Sequence, residues 1–229
     1  MRKLLFFDID GTILLTHGAG RRVVESALSD TFGRLIVTKG IPFGGKTDPQ
    51  ILTEVLTLHD IETSEENLLK AGNSYMEGMM QVMPEAYCEV LPGIPALLDN
   101  LARREDVELA LLTGNFEPMA YLKLQKAGLE GYFKYGAFGS DHADRNELPA
   151  IGIKRAESLT QQMYAPENIH VIGDTPKDIE CARKAGWRVV AIATGHYSSD
   201  DLALFEPDLL LDNLNDHGPF WSYLDGIAT

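Results

Sequence analysis

Apolar residues follow two rhythms along this chain. In "KLLFFDIDGTILLTHG" a continuous run, Leu4 to Phe7, stops at Asp8, and its length and continuity are those of a strand buried on both faces. From Val107 onward such runs alternate with amphipathic stretches. The pattern predicts a strand at 107–113, a helix at 117–128 stopping near Gly128, a short strand at 132–138 and a helix at 147–163. It continues with a strand at 169–173, a helix at 176–186, a strand at 188–193 and a last short strand at 208–211. Strand-helix alternation of this kind predicts an α/β fold, a Rossmann-like parallel sheet with helices on both faces.

Between Thr16 and Cys88 the strand rhythm disappears. Residues 19–32 carry Val23, Val24, Ala27, Leu28 and Phe32 on one helical stripe; 48–59 and 64–83 also read as helices, the latter with Ser64 as its N-cap. The Met76, Met79, Met80 and Met83 stripe reads as the core of this helical block. Pro92 and Gly93 mark the return through residues 89–102. The expected organisation is an α/β core of residues 1–16 and 89–229 and an inserted α-helical cap of residues 17–88.

Composition narrows the partners. The balance of 20 Lys and Arg against 34 Asp and Glu gives a net charge of −14, which argues against nucleic-acid or anionic-membrane binding. A hydrophobic content of 45% supports a sizeable core. Only Cys88 and Cys181 are present, far apart in sequence, so a reducing cytoplasm is the expected compartment. Asp8 ends the first apolar run too early for a signal-peptide core, and no stretch approaches the ~18 uncharged residues of a membrane span.

Three strand ends carry the candidate chemistry: "DIDGT" (8–12), "LLTGN" (111–115) and "GDTPKD" (173–178). In a parallel sheet their tips share one edge, where ligands bind, and Asp8, Asp10, Thr113, Asn115, Asp174 and Asp178 come together. Four carboxylates in one cleft repel each other unless a cation compensates, and an all-oxygen donor set suits a hard ion such as Mg²⁺. A carboxylate can also attack phosphorus as a nucleophile, while a second serves as acid and base.

In this order and at these strand ends, the three motifs resemble motifs I, II and IV of the haloacid dehalogenase superfamily, on its phosphatase branch, and the helical insertion resembles that family's cap. The likeness spans roughly residues 4–195. It implies a Mg²⁺-dependent phosphatase acting on a small phosphorylated metabolite through an aspartyl-phosphate. Asp8 would be nucleophile and metal ligand. Asp10 would be general acid/base, with its backbone carbonyl on the metal. Thr113 would hold the transferring phosphoryl group, with Gly11, Gly114 and Asn115 contributing to its cradle. Asp174 would complete the metal's protein ligands, and Asp178 would orient a metal-bound water. The family's basic third motif, often Lys-Pro, is absent as such; Arg145 at the start of the 147–163 helix is the first choice for it, Lys154 the second.

Other motifs remain open. "FGGKTDP" (43–49) resembles a loop of phosphoglycolate-phosphatase-like members, with Gly44 and Gly45 allowing close approach and Lys46 meeting a substrate anion; equally, Thr47 or Asp48 caps the helix that opens at Pro49. Thr175 with Pro176 reads as an N-cap, which would also aim Asp174. "GAGRRV" (18–23) lacks the third glycine of a dinucleotide fingerprint, and "SDHAD" (140–144) reads as a polar loop. The rivals are a β-phosphoglucomutase-like phosphoryl transferase and a non-catalytic binding module. A monomer or homodimer fits either.

Overall fold

The computed structural model describes residues 2–227. In chain order, β1 (Lys3–Phe7) and β2 (Leu14–Leu15) lead to three helices, α1 (Ala19–Phe32), α2 (Asp48–Leu58) and α3 (Glu65–Val82). Then come β3 (Glu89–Val90), α4 (Ile94–Ala102), β4 (Val107–Thr113), α5 (Glu117–Ala127), β5 (Gly136–Phe138) and α6 (Leu148–Thr160). The chain closes through β6 (Ile169–Gly173), α7 (Pro176–Lys184), β7 (Arg188–Ile192), α8 (Ser199–Ala203), β8 (Leu209–Leu211) and α9 (Gly218–Leu224).

Six strands form one parallel sheet in the order β5-β4-β1-β6-β7-β8. Successive connections from β4 move one way and those from β6 the other, so the switch point lies beside β1 and opens a crevice at the carboxyl ends of the strands. Side-chain alternation along β1 explains its uninterrupted apolar run. Leu5 and Phe7 join Leu109, Leu111, Ile172 and Val190 on the face covered by α4, α5 and α9. Leu4 and Phe6 join Ala110, Leu112, Val171 and Val189 on the face covered by α6, α7 and α8.

The expected strands and helices all appear, most with shorter ends. The 132–138 strand is confined to Gly136–Phe138, preceded by a 3₁₀ turn at Glu130–Tyr132. Three features were not anticipated: the β2–β3 antiparallel ribbon and the short helices α8 and α9. Ser64, Thr47 and Thr175 accept the N-cap hydrogen bonds of α3, α2 and α7, and Gly128 ends α5 in the left-handed conformation.

Helices α1, α2 and α3 bury a third cluster, including Val24, Leu28, Ile51, Val55, Tyr75 and Met79, with Met119 of α5 packed into it. The methionine stripe is corrected at Met80, which is 51% exposed, while Met79 and Met83 are fully buried and Met76 partly so. Met80 follows Met79 by one position, about 100° around the helix, and so leaves the buried stripe.

His170, in the middle of β6, is buried and its Nδ1 lies 3.1 Å from the Tyr223 hydroxyl on α9. Burial, with Arg188 and Lys3 adding repulsion, pushes its pKa down to about 4. The folded chain therefore keeps this ring neutral where the unfolded chain, near pKa ~6.5, takes up a proton. Stability is lost as pH falls from about 6.5 toward 4. Urea unfolding should show His170→Phe losing about 2 kcal/mol less than the wild type between roughly pH 7 and pH 5.

Candidate active site

The register of the central strands sets the geometry. Phe7 pairs with Leu111 on one side and Ile172 on the other, and the Asp8 amide extends that ladder by donating to the Ile172 carbonyl at 2.9 Å. Asp8 therefore leaves the sheet beside Gly173 and Asp174. Carboxylate oxygens of Asp8, Asp174 and Asp178 lie within 4.8 Å of one another, and all three residues are buried.

Each carboxylate is held differently. Asp174 accepts from the Thr12 hydroxyl at 3.1 Å. Gly11, at φ +87°, and Gly195 flank it so closely that a Cβ would come within 2.2 Å and 1.7 Å of its Oδ2. Asp178 is the N3 residue of a capping box on α7: its Oδ2 accepts from the Thr175 hydroxyl at 2.6 Å and amide at 3.0 Å, while its Oδ1 accepts from Arg145. The N-cap reading of Thr175 and the grouping of Asp174 with Asp178 thus hold together.

Arg145 enters from the 3₁₀ turn preceding α6 and is itself buried. Its Nη2 lies 3.4 Å from Asp8 Oδ2 and 3.3 Å from the Leu112 carbonyl, and its Nε has no partner. Burial opposes its charge, but Asp178 and Asp8 outweigh that cost and raise its pKa. Lys154 stands exposed on α6, two positions from the sheet-facing Gly152 and Ala156, so helical geometry turns it away. Of the two basic candidates, Arg145 is the one brought to Asp8.

One guanidinium does not balance three buried carboxylates. Burial pushes Asp8 up to about 6, with Arg145 opposing and Asp178 and Asp10 adding. Asp174 is driven well above the usual carboxylate range, first by burial and then by Asp178 and Asp8. An excess of negative charge on converging oxygens fits a hard divalent cation, which would be held by Asp8 and Asp174 with Asp178 alongside.

Asp10 faces the other way. Its Oδ2 accepts from Asn115 Nδ2 at 2.8 Å and Lys123 Nζ at 2.5 Å, and Asn115 also donates to Thr113 Oγ1 at 2.8 Å. Thr113, fully buried at the end of β4, assists the ionised form of Asp8 through its hydroxyl. Asp8, Asp10, Thr113, Asn115, Arg145 and Asp174 line one cavity of ≈ 780 Å³ beneath α1, α2 and α3.

The 43–48 loop is seated on the strand ends. Asp48 donates its amide to the Gly114 carbonyl at 2.7 Å, accepts from the Phe116 amide at 2.7 Å, and Thr47 donates its hydroxyl to the Ala143 carbonyl at 2.6 Å. A Cβ on Gly114 would meet the Lys46 carbonyl at 2.1 Å, and one on Gly45 would meet Lys177 Cβ at 2.6 Å. Lys46 lines the cavity, yet its Nζ is bound to Glu54 Oε2 at 2.5 Å. Thr47 is the helix cap, and Gly45 permits the close approach, whereas a Cβ on Gly44 would meet nothing nearer than 3.9 Å.

Two cavity residues were not among the candidate site residues, Lys123 not at all and Asp48 only as an alternative helix cap. Burial pushes Asp48 up to about 6. Lys123 is 4% exposed and sits on the buried face of α5 with Met119, Ala120 and Leu124. A lysine inside an apolar helical stripe is the signal that could have found it.

A family model for haloacid dehalogenase-like hydrolases matches residues 2–186. The chain belongs to that family. It is 28% identical over 225 residues to phosphoglycolate phosphatase 1 of Pseudomonas aeruginosa, covering 93% of this chain and 78% of that protein. It is 25% identical over 218 residues to pyrophosphatase PpaX of Listeria innocua serovar 6a, covering 93% of each. In fold it resembles CbbY of Rhodobacter sphaeroides, solved in complex with phosphate, at a TM-score of 0.77 and 19% identity over 95% of this chain and 97% of that one. The chain is thus a haloacid dehalogenase-like hydrolase. No helix among the described residues is long and apolar enough to cross a membrane.

Cation binding to the carboxylate cluster is measurable without turnover. At about 100 times its dissociation constant, a divalent cation should add ~2.7 kcal/mol of stability, raising the thermal midpoint by about 5–10 °C. Asp174→Asn should abolish most of that rise; an unchanged rise would place the ion elsewhere.

Proposed function

We propose that the protein is a Mg²⁺-dependent phosphatase that hydrolyses a small phosphorylated metabolite through an aspartyl-phosphate on Asp8, with phosphoglycolate the first substrate to test. The observation that carries this reading is the convergence of Arg145 and three carboxylates on the end of β1, with Asp10 held separately by Lys123 and Asn115. The substrate suggestion rests on the name of the Pseudomonas relative and on the "GGKTD" loop.

In the first half-reaction an Asp8 oxygen attacks phosphorus in line as the bond to the leaving oxygen breaks. Asp10 donates its proton to that oxygen. In the second, Asp10 takes a proton from the water that attacks phosphorus, and Asp8 leaves as a carboxylate. Thr113 and the backbone at Gly114 and Asn115 hold the phosphoryl oxygens, with Gly11 admitting the phosphoryl group beside Asp174. Arg145 offsets the charge of Asp8 and of the phosphoryl group. Asp8, Asp174 and the Asp10 carbonyl would hold Mg²⁺, with Asp178 positioned to orient water there, and the ion would supply the remaining positive charge for the phosphoryl oxygens.

Residues 17–88 act in this reading as a cap. The loop at 43–48 seals the cavity against bulk water and places Gly45 and Lys46 over the substrate. For Lys46 to meet a substrate anion it must leave Glu54 or share it. A phosphoryl transferase of the β-phosphoglucomutase kind would use the same core; net release of inorganic phosphate distinguishes the two.

A phosphomonoester panel with phosphate detection, with and without EDTA, tests the reading, and phosphate release that survives EDTA would defeat its metal requirement. Asp8→Asn should lower turnover by more than ~10³-fold with an unchanged circular dichroism spectrum. Arg145→Ala should cost about 10²-fold or more while Lys154→Ala costs less than about 3-fold; the reverse order would exchange their roles.

A further inference from the structure

Lys123 is the one buried lysine of the described residues, and the reaction scheme above gives it no part. Its ammonium bridges two groups from different segments: Asp10 Oδ2 after β1 and Asn115 Oδ1 after β4, each at 2.5 Å. Asn115 closes the triangle by donating its own amide to Asp10 Oδ2 at 2.8 Å. Fixing a lysine costs side-chain entropy, and a buried one needs partners. Here both partners belong to the reaction centre.

The consequence falls on Asp10. Its side chain is 42% exposed to the cavity and would otherwise sample several rotamers. Two donors from separate elements converge on Oδ2, and Oδ1 accepts no hydrogen bond among the described residues. The carboxyl plane is thereby held with one oxygen engaged and the other without a hydrogen bond among the described residues, on a residue that lines the cavity.

We propose that Lys123 is a positioning residue for proton transfer: it clamps Oδ2 of Asp10, directly and through Asn115, so that Oδ1 carries the proton to the leaving oxygen. The proposal rests on the reading of Asp10 as general acid. As the Asp8–phosphorus bond forms, the electron pair of the breaking P–O bond goes to the leaving oxygen and the Oδ1 proton follows it. Without the clamp, the proton donor is present but misaimed, and misalignment is costly to general acid catalysis.

Leaving groups that need the proton separate this role from a structural one. The experiment measures kcat/KM, which reports only the steps through phosphoenzyme formation, for benzyl phosphate and p-nitrophenyl phosphate. Benzyl alkoxide requires protonation, whereas p-nitrophenolate departs readily as an anion. In Lys123→Met the benzyl to p-nitrophenyl ratio should fall about 30-fold or more, and in Asp10→Asn further still. The ratio is independent of how much variant protein folds, because misfolded enzyme is lost to both substrates alike. An unmoved ratio in Lys123→Met, with the ratio depressed in Asp10→Asn, overturns the role of Lys123 alone. An unmoved ratio in Asp10→Asn overturns the reading of Asp10, and the proposal for Lys123 with it.

Discussion

Electrostatic compensation at the carboxyl edge of the sheet is the constraint on which the rest depends. The parallel register that buries β1 also delivers Asp8, Asp174 and Asp178 to one point, and burial there disfavours their charge. Arg145 answers part of that charge, and its own burial is tolerable only because the carboxylates surround it. The capping box of α7 answers another part by turning one Asp178 oxygen into an acceptor for Thr175. Each group at this edge is stable only in the company of the others.

A second, separate polar centre lies a few residues away. Asp10 shares no hydrogen bond with the carboxylate cluster and instead joins Asn115 and Lys123. Two carboxylates separated by a single residue thus receive contrasting surroundings: Asp8 is buried beside Arg145, and Asp10 is partly open beside a lysine. Local chain geometry makes the division, since the tight turn after Ile9, where the Ile13 amide returns to the Ile9 carbonyl at 2.8 Å, directs the two side chains apart.

Much of this was legible in the sequence because strand ends are marked by abrupt changes from apolar to acidic residues. Asp8 and Asp174 announce themselves in that way, Thr113 by the polar turn that follows an apolar run, and a parallel sheet leaves their tips no place but one edge. Arg145 could be inferred only as a candidate, because its role is set by a 3₁₀ turn whose direction no periodicity encodes. Lys154, the second choice, lies within α6 itself, on its exposed side. The β2–β3 ribbon, two residues on each side, is too short to carry any alternation. Lys123 and Asp48 were missed for a different reason. The significance of Lys123 depends on Asp10, 113 positions away, and that of Asp48 on Phe116, 68 positions away, and a single charged residue in a helix is ordinarily solvated.

Asp48 ties the helical layer to the sheet at the Phe116 amide, immediately before the helix that carries Lys123. The first turn of α5 is therefore gripped from above by one carboxylate and, two turns further on, reaches down to another. One helix therefore carries, two turns apart, the contact that anchors the roof of the cavity and the contact that holds Asp10.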